Sequence, residues 1–199
     1  MFHLRRADTH DHPALAAICI ATGDHGGDAR SLYADPQLLA DIYVLPYAVV
    51  EPDWCWVAED GGGVAGYLVA TPDTLDFARR TEAQWWPALR RRHPLPDPDD
   101  GRAQAQLVRR LHAGTLTELP FLATHPAHLH IDLLPRAQRQ GVGRRLMATL
   151  QQSLDAAGVN GLHLAVSARN PGAIALYERL GFAVLQRGDW GQWMGRHTG

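Results

Sequence analysis

Cysteine and long apolar runs are scarce in this sequence. Only Cys19 and Cys55 occur among its 199 residues, which is too few for a disulfide framework, and their spacing is not that of a metal-binding pair. No apolar run approaches the length that spans a membrane, and residues 1–6 lack the long apolar stretch of a signal peptide. These absences predict a protein of the reducing cytoplasm.

An excess of charge of either sign is also missing. The 19 basic and 21 acidic side chains give a formal net charge of −2, so no global field favours nucleic acid or an anionic membrane as a partner. The length, with 46% hydrophobic residues, is that of one domain with a full core. We therefore expect a single domain over residues 1–199 that acts on a small-molecule or peptide partner.

Apolar periodicity predicts helices that alternate with strands, apart from one β-hairpin. We expect strands at 2–6, 54–59, 64–71, 129–134, 161–167, 182–187 and 192–196. We expect helices from about 13, with Asp8 or Asp11 as the cap, and at 38–49, 73–92, 103–111, 142–157 and 171–180. This order is that of an α/β protein with a mixed sheet and helices on both faces. Residues 73–126 then form a two-helix insertion before the central strand.

The most informative segment is a glycine loop between the strand at 129–134 and the next helix. Glycines let a backbone approach a ligand closely, and the first N–H groups of a helix have no intrahelical partner. With the helix dipole and neighbouring arginines, such a loop suits a pyrophosphate. Its spacing fits neither the dinucleotide fingerprint, because no third glycine follows, nor a P-loop, which needs Gly-Lys-Ser/Thr. The loop runs through Gln138, Arg139, Gln140, Gly141, Val142, Gly143 and Arg144.

A second block follows about thirty residues later and contains Asn170, then Leu176-Tyr177, then Gly181-Phe182. Together the two blocks resemble the acyl-CoA-binding core of the GCN5-related N-acetyltransferase (GNAT) superfamily. The loop of that superfamily reads Gln/Arg-x-x-Gly-x-Gly/Ala, and its second signature is an Asn, a Leu-Tyr pair and a Gly-Phe pair. The resemblance implies the GNAT fold, with a mixed, mostly antiparallel central sheet, and an acetyl-CoA-dependent N-acetyltransferase.

A narrower resemblance runs over most of the chain, including the insertion. The segments 39–60 and 66–73 and the helix with Trp85-Trp86-Pro87 are similar to the acetyltransferase-like domain of eukaryotic O-GlcNAcases and to its stand-alone bacterial relatives. The eukaryotic domain is regarded as a pseudo-acetyltransferase because it has lost the glycine loop. This chain keeps the loop, so the resemblance implies that it binds acetyl-CoA as co-substrate.

The family resemblance also implies roles for individual residues. Residues 138–144 would bind the pyrophosphate, and the backbone of Leu133 and Leu134 would lie near the thioester. Tyr177 would donate a proton to the CoA thiolate. Alternatively, because it lies on an apolar helix face, it is a core residue that only packs. Asn170 would meet the pantetheine or cap the helix before Pro171, and both roles can hold at once.

The general base is harder to identify. His130 and Asp132 lie two residues apart on the central strand and share a face. Asp132 is nearer the point where the family's strand separates from its neighbour, so it is our candidate base, with His130 as a substrate contact. Alternatively, one of the two is a satisfied buried polar group and the other faces solvent. Asp73 and His25 are further candidate substrate contacts, although loop or capping chemistry is the commoner use of such residues.

Two other clusters invite a functional interpretation. The residues His125, His128, His130 and Asp132 could converge on a metal ion, but GNAT chemistry needs none, so we expect no metal. The arginines at 79–80, 90–92 and 109–110 could bind the 3′-phosphate of the nucleotide or an acidic acceptor. A run of this kind is more often a solvated helix face.

The sequence thus predicts a cytoplasmic acetyltransferase that moves an acetyl group to a primary amine. We expect direct transfer, because neither cysteine lies near the motifs and a covalent acyl-enzyme is therefore not indicated. The main alternative is a non-catalytic acetyl-CoA-binding or protein-interaction module, and a third is a hydrolase of acyl-CoA. The acceptor and the oligomeric state, monomer or homodimer, are left open.

Overall fold

The protein is described by a computed structural model that covers residues 1–114 and 119–199. Seven strands form one sheet in the order β1-β2-β3-β4-β5-β7-β6. Every neighbouring pair is antiparallel except β4 and β5, which are parallel. The strands are β1 His3–Arg6, β2 Cys55–Asp60, β3 Gly63–Thr71, β4 Ala127–Leu133, β5 Gly161–Ser167, β6 Ala183–Gly188 and β7 Gly191–His197.

Helices cover both faces of the sheet, as the sequence predicts. One apolar core lies between the sheet and the first six helices, and a second lies between the opposite face and the last two. Among the described residues, none of the helices has the length and apolar character needed to cross a membrane. The helices are α1 His12–Thr22, α2 Gln37–Tyr43, α3 Leu45–Val50, α4 Thr74–Gln84, α5 Trp86–Arg92, α6 Ala103–Ala113, α7 Val142–Ala156 and α8 Pro171–Arg179.

Two predicted helices are each divided in two. The helix expected at 38–49 breaks at Val44, where φ is −133°, and the helix expected at 73–92 breaks at Trp85, where φ is −116°. Pro46 and Pro87 follow within two residues, and proline disfavours helical geometry before it while fitting the first turn of a new helix. The described part of the insertion, residues 73–114 and 119–126, therefore contains three helices, α4, α5 and α6, and the prediction of two is wrong.

The start of α1 also differs from the prediction. The Asp8 side chain accepts from the His10 N–H and caps a single 3-10 turn at Thr9–Asp11. Asp11 precedes α1 but makes no capping bond to it. Its carboxylate instead accepts hydrogen bonds from both terminal nitrogens of Arg5, at 2.6 and 2.8 Å. Neither aspartate therefore caps α1, although both order the chain just before it.

The central strand β4 presents two different surfaces. Side chains alternate along a strand, so His128, His130 and Asp132 face the layer of α1 to α6, whereas Leu129 and Ile131 pack toward α7 and α8. A polar row thus runs along one face of the most central strand. This row and the edge of β4 that faces β5 define the site.

Candidate active site

A gap opens in the middle of the sheet. The parallel strands β4 and β5 pair only at Ala127 with Leu162 and at His128 with His163. Both strands continue for several residues beyond these pairs without bonding to each other. The rest of β4 therefore lies unpaired beside β5, and the space between the two strands is the gap.

The ladder between β3 and β4 fixes which backbone groups point into this gap. Leu134 donates its N–H to the Ala65 carbonyl at 2.8 Å, so even-numbered residues of β4 bond toward β3. In an antiparallel ladder, hydrogen-bonded and non-hydrogen-bonded pairs alternate, so the N–H groups of Ile131 and Leu133 point toward the gap. The sequence prediction of Leu133 agrees with this geometry, whereas the Leu134 N–H is occupied. The Ile131 N–H is a further candidate that strand alternation alone indicates, because it points the same way as the Leu133 N–H.

The glycine loop lies at the end of β4 and leads into α7. Gly141 adopts φ 73° and ψ 2°, a left-handed conformation that suits glycine, and Arg139 has φ 58°. Among the residues that the structure describes, no side chain caps α7, so its first N–H groups can bind an anionic ligand. Gly143 packs toward the core, because a Cβ there would be in ordinary contact with Leu133 at 3.4 Å and with Leu176 at 3.8 Å. The loop thus has the backbone geometry expected of a pyrophosphate cradle.

Side chains of the loop divide into two groups. Gln138 donates through Nε2 to the Leu133 carbonyl at 2.9 Å, and Gln140 donates to the Arg136 carbonyl at 2.7 Å, so both glutamines shape the turn. Arg139 and Arg144 are exposed beside the helix start and remain available for phosphate. Arg145 instead donates to the Phe2 carbonyl at 2.9 Å, which ties α7 to the N-terminal strand.

Asn170 caps α8 on the other side of the gap. Its Oδ1 accepts from the Ala173 N–H at 3.1 Å, and Pro171 occupies the first turn. The capping interpretation of Asn170 is therefore confirmed, while a contact with pantetheine stays a prediction. The loop after α1 also reaches this point, because a Cβ at Gly26 would lie 3.7 Å from the Asn170 side chain.

Tyr177 projects from α8 into the core beneath the gap. It is 8% exposed, and its ring lies 5.6 Å from the ring of Phe182. Its hydroxyl makes no hydrogen bond within residues 1–114 and 119–199. Burial, and secondly the negative charge of Asp132, raise the pKa of Tyr177, so this tyrosine stays protonated at neutral pH. Packing and a proton-donor role are therefore compatible in one side chain.

Asp132 lies on the opposite side of the gap, half-buried. The fully buried Tyr67 on β3 donates a hydrogen bond from its hydroxyl to Asp132 Oδ2. Burial raises the pKa of Asp132, and the hydroxyls of Tyr67 and Thr22 partly oppose that rise. A carboxylate with a raised pKa is suited to accept a proton near neutral pH. No local sequence pattern indicates Tyr67, because its position opposite Asp132 depends on the register of the sheet.

Cys19 is closer to this carboxylate than the sequence suggests. The buried thiol lies beside Tyr67, and burial, followed by the charge of Asp132, raises the pKa of Cys19 to about 12. A thiol of this kind is neutral at physiological pH and is a poor nucleophile. Cys19 is therefore unsuited to form an acyl-enzyme because its thiol is neutral. Distance from the site does not exclude it.

The histidines of β4 are held by aromatic and hydroxyl partners. The Tyr47 hydroxyl lies 2.5 Å from His128 Nε2, and Thr74 Oγ1 lies 2.7 Å from its Nδ1. His130 contacts the rings of Tyr43 and Tyr47 edge-on, and burial lowers its pKa to about 4. Among the described residues, no group of three His, Cys, Asp or Glu side chains is arranged to hold a metal ion.

Of the two loop residues predicted to contact the substrate, His25 lies near the gap and Asp73 does not. His25 pairs with Asp24 at 3.6 Å in the loop that touches Asn170. Asp73 follows β3, whose Thr71 pairs with His128, so it lies at the far end of β4 from Asp132. Its carboxylate accepts from the N–H groups of Leu75 and Asp76 and caps α4. The geometry therefore favours capping over substrate contact for Asp73.

The arginine run does not form a phosphate-binding patch. Four of its members form ion pairs with nearby carboxylates. Arg109 donates to the carbonyls of Asp97 and Asp100. The remaining two, Arg91 and Arg110, make no ion pair within the part of the chain that the structure describes. The acid-paired members are Arg79 with Asp76, Arg80 with Glu51, Arg90 with Glu82 and Arg92 with Asp41.

Comparison with known proteins agrees with this geometry. The family model described as "Acetyltransferase (GNAT) family" matches residues 28–182. Protein O-GlcNAcase of Rattus norvegicus is 26% identical over 173 residues, which cover 86% of this chain and 19% of that protein. The chain thus spans about a fifth of the length of this relative, and the resemblance to its acetyltransferase-like region is confirmed.

Solved structures extend the comparison to the whole chain. The crystal structure of SsHAT is 35% identical, covers 100% of this chain and 98% of its own, and has a TM-score of 0.93. A phosphinothricin acetyltransferase from Sinorhizobium meliloti, solved with acetyl-CoA, shares the fold at 18% identity and a TM-score of 0.56, covering 100% of this chain and 89% of its own. The match over residues 28–182, the divided sheet and the glycine loop before α7 together identify the chain as an acetyltransferase of the GNAT family.

Proposed function

We propose that the protein transfers the acetyl group of acetyl-CoA directly to a primary amine. The observation that carries this proposal is the placement of Asp132 and Tyr177 on opposite sides of the gap between β4 and β5. One of these side chains is suited to accept a proton and the other to donate one. The glycine loop, with the first N–H groups of α7, lies at the end of the same gap.

Each step of transfer has a matching group. Residues 138–144 would bind the pyrophosphate, and the N–H groups of Ile131 and Leu133 would hold the pantetheine and polarise the thioester carbonyl. Asp132 would take the proton that the attacking amine loses. Tyr177 would give its proton to the sulfur as the C–S bond breaks and the N–C bond forms. His130 and His25 would contact the acceptor, while Asp73 is left out because it caps α4.

The proposal places the enzyme in the cytoplasm, as a monomer or homodimer, with a small-molecule or peptide acceptor and no metal. The raised pKa values of Tyr177 and Cys19 support direct transfer, because neither side chain offers an anionic nucleophile at neutral pH. The principal rival is a module that binds acetyl-CoA without catalysis. The intact glycine loop is compatible with both, so acceptor-dependent turnover decides between them.

The first test is calorimetric titration with acetyl-CoA and with CoA, paired with thiol release in the presence of amines. Gly141→Glu should abolish binding, because it adds negative charge and strains the left-handed turn in the cradle. Gly158→Glu is the matched control, since Gly158 also has positive φ and open surroundings but follows the other end of α7. Loss of binding in both variants, or in neither, would contradict the assignment of the loop.

The sequence simplifies detection of the product. All 19 basic residues are arginine, so the chain contains no lysine. Acetyl-lysine found after a reaction with a peptide acceptor must therefore belong to the acceptor. Binding of acetyl-CoA without turnover on any amine would favour the non-catalytic module. Thiol release without any acceptor would favour the hydrolase.

A further inference from the structure

Four of the five tyrosines of the chain lie on the side of β4 that faces α1 to α6, and the fifth, Tyr177, lies on the opposite side. Tyr43 and Tyr47 contact His130, and Tyr67 bonds to Asp132. Tyr33 packs against the same core and shares its surroundings with Tyr43 and Asp24, while Tyr177 closes the gap from below. Tyr33 and Tyr43 are half-buried, whereas Tyr47 and Tyr67 are buried. The two half-buried rings form an aromatic wall that suits an organic cation or an amine. It forms the side of the gap from which an acceptor would approach.

A positive charge stands at one end of this wall. Arg110, in the last turn of α6, has its guanidinium carbon 5.8 Å from the centre of the Tyr43 ring. Its charge reaches His130 as well, since it helps to lower the pKa of that histidine after burial. No carboxylate within residues 1–114 and 119–199 pairs with Arg110. Five other arginines of the insertion pair with acids, so Arg110 differs from them in having its charge directed to the aromatic wall.

Negative charge stands at the other end. Asp132 follows His130 by two residues on the same face of β4, which is about 6.6 Å along a strand. The region beside the gap thus has a carboxylate near the reacting centre and a guanidinium over the Tyr43 ring. A ligand with one amine and one anionic group, a few bonds apart, matches both ends.

We propose that the acceptor is a small zwitterion, an amine that also carries a carboxylate, and that Arg110 is the residue that selects it. This inference rests on the proposed acetyl transfer and narrows its acceptor. Asp132 receives the amine end at the gap, and Arg110 binds the carboxylate, for which the planar guanidinium is well shaped. The tyrosine rings would line the route between Asp132 and Arg110.

The test compares pairs of acceptors that differ only in the carboxylate: phenylalanine with phenethylamine, tyrosine with tyramine, and 4-aminobutyrate with propylamine. Thiol release from acetyl-CoA gives kcat and KM for each. We expect the wild-type protein to prefer the carboxylate-bearing member of at least one pair by about 10- to 100-fold in kcat/KM. Arg110→Gln should remove this preference through KM, with kcat/KM for the decarboxylated member unchanged.

Arg91→Gln is the matched control. It removes one exposed charge from α5 of the same insertion and should leave both members of each pair unaffected. Equal use of both members by the wild-type protein, or an equal effect of Arg110→Gln on both, would overturn the inference. Turnover only with polyamines or peptide amines would also overturn it while leaving the proposed acetyl transfer intact. Failure to bind acetyl-CoA would remove both proposals.

Discussion

The Tyr67 hydroxyl donates a hydrogen bond to the Asp132 carboxylate from directly across the β3–β4 ladder. The donor is fully buried and the acceptor is half-buried beside the gap in the sheet. One oxygen of the carboxylate is therefore held by a side chain of the core. This bond also opposes the rise that burial causes in the pKa of Asp132. Tyr67 thus positions the candidate base and adjusts its basicity.

Tyr67→Phe should move the pH dependence of the reaction. Loss of the hydroxyl removes an interaction that stabilises the ionised carboxylate, so the pKa of Asp132 rises further. A hydrogen bond to a charged group contributes about 1.5–3 kcal/mol, and one pKa unit corresponds to about 1.4 kcal/mol. We expect the acid limb of kcat/KM to shift upward by about one to two pH units.

A double-mutant cycle separates this role from simple packing. Asp132→Asn should lower kcat by about 10²- to 10⁴-fold if Asp132 is the base, with little change in acetyl-CoA affinity. Tyr67→Phe should have no further effect on activity in the Asp132→Asn background, because the partner of its hydroxyl is no longer a base. Additive losses in rate would show that Tyr67 acts through the fold and not through Asp132.

Tyr177→Phe tests the proton donor. The substitution keeps the ring against Phe182 at 5.6 Å and removes only the hydroxyl, so the fold and acetyl-CoA affinity should be retained. We expect kcat to fall by about 100-fold at pH 7, the scale of one general acid, in single-turnover measurements of thiol release. Because burial raises the pKa of Tyr177, the wild-type rate should show no alkaline loss from this group below pH 10. An unchanged kcat would leave Tyr177 with a packing role only.

Asn170 offers a way to separate capping from cofactor contact. Asn170→Ala removes the bond to the Ala173 N–H and should lower the free energy of unfolding by about 1 kcal/mol, measured by urea denaturation. Asn170→Asp keeps an acceptor at the cap and should retain the stability, but it adds a negative charge beside the gap. Weaker acetyl-CoA binding by both variants would support the predicted pantetheine contact. Unchanged binding by Asn170→Ala would restrict Asn170 to the cap.

Features that depend on neighbouring residues are predicted better from the sequence than contacts between residues that are far apart in the chain. The hairpin around Gly63, the strand before the glycine loop and the α7 start after Gly141 depend on neighbouring residues, and all three are confirmed. The partnership of Tyr67 with Asp132 depends on strand register over 65 residues, which no local pattern fixes. The same is true of Arg110, because its distance from Tyr43 is set by how the insertion packs on α2. The split at Trp85 was foreseeable, because Pro87 follows it.

The buried histidines predict how stability depends on pH. His163 is 2% exposed, with its Nδ1 2.7 Å from the His125 carbonyl, and burial lowers its pKa to about 4, like that of His130. An unfolded histidine titrates near 6.5. Between pH 6.5 and 4 the unfolded chain therefore binds more protons than the folded one, so stability falls as the pH is lowered. Each such histidine adds up to about 1.4 kcal/mol per pH unit to this slope.

His163→Gln should flatten that slope. Urea denaturation at pH 7, 6 and 5 would give the free energy of unfolding, and the variant should lose about 1 kcal/mol less per pH unit than the wild-type protein. Its stability at pH 7 will itself be lower, because the substitution disturbs a packed core position, so the slope and not the absolute value is the readout. His10→Gln is the control, since the His10 side chain is 95% exposed and should leave the slope unchanged. An identical slope in wild type and His163→Gln would mean that His163 is protonated in the folded protein as readily as in the unfolded chain, and that the buried surroundings do not hold it neutral.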